Sequence, residues 1–169
     1  MRRILIEKEL IDPKACSYGF PWEHDSTCFN FRMTEECVTA DRIDEIENID
    51  DIETLVIGCD LPDYNFIEGM TGLKQLYIYS GESLYSLDFL KNLNDLRQLY
   101  IADSHIESLE PLVDLIKERK RLYDSETDIS KRLFMMMEGI CIVSDKELDE
   151  KMLKEPGLHI SEIIIKRSR

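Results

Sequence analysis

Apolar side chains in the middle of this chain recur in a fixed order. Leu73, Leu76 and Ile78 are followed 23 residues later by Leu96, Leu99 and Ile101, each set reading L-x-x-L-x-I. Further apolar residues follow at spacings of three: Leu84, Leu87, Leu90 and Leu93, then Ile106, Leu109, Leu112 and Leu115. The last two apolar residues of each triplet alternate, as a half-buried strand requires. The residues spaced by three then carry the chain back along the opposite side with one apolar face turned inward. A single unit of this kind cannot bury its face, whereas stacked units form one continuous core.

The triplet recurs as Ile52, Leu55 and Ile57, 21 residues before the central pair, and Ser26, Phe29 and Phe31 and then Met1, Ile4 and Ile6 also fit. Towards the C-terminus, Met137, Ile140 and Ile142 are matched 23 residues later by Ile160, Ile163 and Ile165. Leu55, Leu76, Leu99, Ile140 and Ile163 are therefore expected in one buried row on neighbouring parallel strands. The segments 140–142 and 160–165 are expected to continue the same sheet.

These triplets resemble the leucine-rich repeat family, in the short variety typical of bacterial proteins. The resemblance is best matched over residues 52–115 and extends over 26–51 and 137–165. It implies an α/β solenoid with one parallel β-sheet on the concave side and helical or irregular segments on the convex side. It also implies a single domain: a cap over 1–25, repeats over 26–115, a degenerate repeat or helical insertion over 116–136, and C-terminal repeats or a cap over 137–169. The family places Asn, Cys or Thr three residues after the strand's last apolar position, where the side chain bonds the turn. Here those positions hold Asp60, Gly81 and Ser104, so the turns must be tied differently.

Outside the repeats, Asp12–Asp25 reads as a loop punctuated by Pro13, Gly19 and Pro21, with Phe20 and Trp22 folding back over the end of the core. Phe29 and Phe31 make a strand. Thr34–Ile49 reads as a helix capped by Thr34, with Ile43, Ile46 and Ile49 along one side. Ser108 and Pro111 start a helix carrying Leu112, Leu115, Ile116 and Leu122, whose exposed side holds the run Lys117 to Arg121. Thr127 caps a second helix with Ile129, Leu133 and Met137 spaced by four. Ser144 to Glu147 is a capping box and predicts a helix from Asp145 to about Lys154. The last strand follows, and Lys166, Arg167 and Arg169 blunt its edge.

Composition narrows the function. With 169 residues and a net charge of −14, one domain with a sizeable core is expected. Nucleic acid and anionic membrane are disfavoured as partners, while a basic partner protein is compatible. Five cysteines, odd in number and widely spread, favour reduced thiols in a cytoplasm, and Met1–Leu10 is not a signal peptide. No G-x-x-x-x-G-K, G-x-G-x-x-G or G-x-S-x-G motif is present. No cofactor is called for. His24 with Cys16, Cys28 and Cys37 lacks zinc-site spacing, so no metal is expected either. His105 near Asp103, or one of the cysteines, is the material for a competing reading as a small enzyme.

The outward positions of the sheet are more informative. Between the two apolar strand residues stand Asn30, Val56, Tyr77, Tyr100 and Cys141; after them stand Arg32, Gly58, Tyr79, Ala102 and Val143. Tyr77, Tyr79 and Tyr100 therefore cluster, flanked by Gln75, Gln98, Lys74, Arg97 and Asp103. Tyrosine and arginine anchor protein interfaces, and leucine-rich repeat proteins generally bind partners on this concave side. The expected function is non-catalytic protein binding at that patch, with a cytoplasmic inhibitor or immunity protein as its sharper form.

Overall fold

The computed structural model describes residues 2–12 and 36–168. Seven strands form one sheet: β1 (Arg2–Glu7), β2 (Glu36–Thr39), β3 (Ile52–Ile57), β4 (Gln75–Ile78), β5 (Gln98–Ser104), β6 (Gly139–Ser144) and β7 (Ile163–Arg167). Their order is β2-β1-β3-β4-β5-β6-β7, and every pairing is parallel. The chain is thus α/β with a single parallel sheet.

The register follows the sequence period. Ile4, Leu55, Leu76, Leu99, Ile140 and Ile163 pair in succession across six strands, and Ile6, Ile57, Ile78, Ile101, Ile142 and Ile165 form a second row. The expected parallel continuation through β6 and β7 is present, with the 23-residue offset kept. One correction concerns Ile163, which is only partly buried: β7 is the outermost strand of the sheet among the described residues.

On the core side the return segments contain short 3-10 helices at Asn65–Gly69 and Asp88–Asn92. A 3-10 helix has three residues per turn, so leucines spaced by three stack along one line. Leu87, Leu90 and Leu93 are fully buried, as are Ile67, Met70 and Leu73 one unit earlier. The turn before Leu73 is tight. A Cβ on Gly72 would lie 2.3 Å from the Asp50 carbonyl oxygen, so only glycine fits there.

The Asp60 carboxylate ties the turn that follows β3. Its Oδ1 accepts from the Ser83 backbone N–H (2.7 Å) and the Tyr64 hydroxyl (3.2 Å), and its Oδ2 accepts from the Ser83 hydroxyl (2.5 Å). The Tyr64 hydroxyl is also positioned to bond the Ser80 carbonyl and receives the Leu61 N–H. One carboxylate therefore ties two successive turns together.

The longest crossover, between β5 and β6, holds α1 (Glu110–Ser125) and α2 (Ile129–Met135). Residues 116–136 are thus mainly helical. Pro111 lies in the first turn of α1, the Ser108 hydroxyl accepts the Glu110 N–H, and Leu112, Leu115 and Ile116 are buried. Arg119 corrects the expectation of an exposed basic run. It faces inward, 1% exposed, because its guanidinium caps the end of α2. The cap of α2 is Asp128 rather than Thr127, and Met137 lies beyond the helix, fully buried, bridged to Ile160.

Two further helices give way to other structure. In place of a helix over 34–49, β2 pairs with β1, and 3-10 turns at Ala40–Glu45 and Ile49–Asp51 follow. The spacing of three in Ile43, Ile46 and Ile49 suits the tighter turn, and all three pack against the core. After β6 the Ser144 hydroxyl donates to the Ile106 carbonyl and accepts the Lys146 N–H. It secures a turn, and the helix α3 runs only from Lys151 to Lys154. The expected Phe29–Phe31 strand, the cap formed by Phe20 and Trp22, and Cys16, His24 and Cys28 lie outside the described residues.

Candidate partner-binding surface

The face of the sheet opposite the leucine rows divides into two zones. At the centre, Leu5, Val56 and Tyr77 form a small second cluster, against which Ile11, Cys37, Tyr79 and Tyr100 pack. Tyr77 is 2% exposed, which corrects the expectation of an open ring. Its neighbours across the sheet are Val56 on β3 and Tyr100 on β5, with Leu5 beyond Val56. Tyr79 and Tyr100 are half-buried, their ring centroids 4.9 Å apart. Burial pushes all three phenols above their ordinary range, so each remains a neutral hydroxyl at physiological pH.

The second zone lies at the N-terminal ends of the strands and is polar. Here the register places equivalent side chains in a connected rank. The Thr54 hydroxyl donates to Gln75 Oε1 (2.9 Å), and Gln75 Nε2 donates to Gln98 Oε1 (3.1 Å). Gln98 Nε2 donates to Glu138, and the Tyr77 hydroxyl donates to Gln98 Oε1. A charged column runs beside this rank. Lys74 pairs with Glu53 at 3.0 Å and Arg97 with Glu138 at 2.7 Å.

Arg3, Glu53, Thr54, Lys74, Gln75, Arg97 and Glu138 line a cleft of about 240 Å³. Pockets that enclose small molecules usually hold about 300–1,000 Å³, so this cleft falls below that range. The column was legible in the sequence: Glu53 precedes Lys74 by 21 residues, and Lys74 precedes Arg97 by 23. Glu138 is displaced from that spacing by the helical crossover, and only the paired strands bring it alongside Arg97.

Asp103 lies at the other end of β5 from Gln98, where its charge adds to burial in raising the Tyr100 phenol. It is exposed, in the left-handed region (φ 51°), where the β5–β6 register shifts. Five residues separate it from Gln98, about 17 Å along a strand. His105 pairs with Asp145 (3.0 Å) and stacks on Tyr85, so its carboxylate neighbour is Asp145 instead of Asp103. Burial raises the Cys59 thiol and moves that of Cys141 to about 11, which keeps both protonated.

Among the described residues, no cluster of three or more His, Cys, Asp or Glu side chains could hold a metal ion. No helix there is long and apolar enough to cross a membrane. A larger groove of about 540 Å³ lies between the Asp88–Asn92 turn and α1, and carboxylates dominate its lining. No family model matches the chain, and no curated protein or solved structure matches it.

Proposed function

We propose that the chain is a leucine-rich-repeat solenoid that binds another protein on its concave sheet face, at the cleft between Arg3, Lys74, Arg97 and Glu138. One observation carries this reading. Three successive strands present Thr54, Gln75 and Gln98, and the residue before β6 adds the Glu138 carboxylate, as a single hydrogen-bonded rank flanked by the Glu53–Lys74 and Arg97–Glu138 ion pairs. Side chains locked in this way lose little further freedom when a partner docks, which favours binding. Exposed ion pairs contribute little to stability, so the charged column is better explained as recognition than as scaffolding. Binding of this kind needs no catalytic group. A stoichiometric inhibitor or immunity protein works by covering a partner's site.

The test compares the immobilised wild-type protein, the double variant Lys74→Glu/Arg97→Glu and the control Glu110→Lys/Asp114→Lys, which alters the acidic groove. Each is exposed to lysate of the native host, and retained proteins are identified by mass spectrometry. Thermal melting of all three confirms that each is folded. A partner held by wild type and control but lost from the Lys74/Arg97 variant is the expected result. The same proteins on all three surfaces would remove the cleft from consideration.

A further inference from the structure

Among the described residues the two core rows stop at β7, and they stop partly exposed. Ile163 and Ile165 continue the rows but are only partly buried, as is Ile164 on the concave side. Leu148, Met152 and Ile160, from the crossover before β7, are likewise partly buried against the core. A stack of repeats exposes apolar surface at its end unless something covers it. The backbone of β7 is half used in the same way. The Glu162 carbonyl accepts the Ile140 N–H (2.9 Å), and the Ser168 N–H donates to the Ser144 carbonyl (2.7 Å). Backbone groups alternate sides along a strand, so the even-numbered residues of β7 bond β6, and Ile163 and Ile165 turn their N–H and C=O groups away from the sheet.

This edge is complementary to itself in one register. Glu162, Ile164 and Lys166 share the concave face, where both charges reach the thiol of Cys141, the cross-strand neighbour of Ile164. Glu162 and Lys166 are exposed, and neither forms an ion pair among the described residues. In an antiparallel pairing of two β7 strands about a two-fold axis at Ile164, Glu162 faces the partner's Lys166, and Lys166 faces the partner's Glu162. On the core side Ile163 faces the partner's Ile165, a hydrogen-bonded pair that uses the outward backbone groups of both. Arg167 faces the partner's Ser161, and its guanidinium already bonds the Asp145 carbonyl of its own chain (3.2 Å). No like charges oppose each other between Ser161 and Arg167. Moving the axis to Ile163 sets Glu162 against Ile164, and moving it to Ile165 sets Lys166 against Ile164, so both ion pairs are lost. Opposite charges directly across a strand pair stabilise it, and like charges do the reverse.

We propose that β7 is a self-association edge, at which two copies of the chain pair antiparallel about a two-fold axis at Ile164. The contact is isologous and closes at two copies. It is independent of the concave-face reading. Lysine and arginine on an edge strand usually discourage pairing, but this register gives Lys166 a carboxylate. A five-residue strand pair is a small interface, and each copy carries a net charge of −14. The dimer is therefore reversible, and its population rises with protein concentration.

Sedimentation velocity at about 5 to 500 µM in about 150 mM NaCl, where charges more than about 8 Å apart are largely screened, tests the pairing. The wild-type protein is compared with Glu162→Lys, Lys166→Glu and the double exchange Glu162→Lys/Lys166→Glu. The replaced side chains are exposed, and melting curves verify that each variant is folded. Dimers and no larger species are expected for wild type. Either single change should weaken the dimer at least about tenfold, because like charges then face each other twice, and the double exchange should restore it. Amide exchange at the two ends of the concentration range gives a second reading. The Ile163 and Ile165 amides should gain protection as concentration rises, while that of Ile164 is protected throughout. A monomer at every concentration, growth into longer assemblies, or a dimer indifferent to the single changes overturns the proposal. Failure of the double exchange to restore the dimer overturns it too, since pairing about Ile164 makes that exchange silent.

Discussion

Leu99→Ala is expected to lower the free energy of unfolding by about 2–5 kcal/mol, the range for truncating a fully enclosed leucine. Leu99 has no exposed surface and lies in a row between Leu76 and Ile140, with a hydrogen-bonded strand on either side. Strands fixed on both sides cannot close in on the vacated volume, so the cavity term adds to the lost transfer energy. Urea titration followed by circular dichroism gives the value, with an unchanged slope showing that the denatured state is the same. Ile163→Ala serves as the internal comparison. It occupies the same row on the edge strand, where it is only partly buried, and should lose less. A Leu99 effect below about 1 kcal/mol, or one smaller than that at Ile163, contradicts an enclosed row.

The second large effect is expected at Asp60. Asp60→Ala removes three hydrogen bonds at once and strands the Ser83 N–H in a part-buried turn. A hydrogen bond to a charged group contributes about 1.5–3 kcal/mol, and an orphaned donor keeps its desolvation penalty. The loss should therefore reach at least about 2 kcal/mol. Asp60→Asn separates charge from geometry: its amide oxygen can still accept the Ser83 N–H, so a large part of the stability should return. If asparagine is as damaging as alanine, the carboxylate acts through its charge and the turn-bonding account is wrong. The same titration read by near-UV dichroism, which reports the Tyr64 ring beside it, follows the local change.

The sheet was largely legible in the sequence because its rows are governed by one repeated packing requirement. Leu55, Leu76, Leu99 and Ile140 had to be apolar and in step, and their spacing alone specified strand pairing and direction. What the spacing could not specify was the strand order at the β1 end. Nothing in residues 36–39 signals that they lie outside β1, since a parallel edge strand has the same alternation as an inner one. The return segments were ambiguous for a related reason. Isoleucines three apart at 43, 46 and 49 serve a 3-10 turn as well as an α-helix, and the backbone needed the shorter form.

The site was half legible. Gln75 and Gln98 in one rank and Arg97 beside them follow from the period. The burial of Tyr77 does not, because it belongs to a cluster with Leu5 and Val56, against which Ile11 packs, and β1 brings Leu5 there from a distant part of the sequence. The inward turn of Arg119 was equally hidden. Read along α1 it belongs to a solvated run of charges, and only the carbonyls at the end of α2 give it a reason to face inward.

The placement of β1 between β2 and β3 also dictates the order of assembly during refolding. β4 and β5 meet across a single 23-residue unit, whereas β1, with or without β2, joins the rest of the sheet only through β3, which begins about 45 residues after β1 ends. Closing the longer loop costs only about 0.6 kcal/mol more, but that alone slows the encounter roughly threefold, and β2 has no neighbour until β1 is in place. Nucleation therefore belongs to β3, β4 and β5, with β1 and β2 docking onto a sheet already formed. Pulse-labelled amide exchange should show Leu76–Ile78 and Leu99–Ile101 protected before Ile4–Ile6.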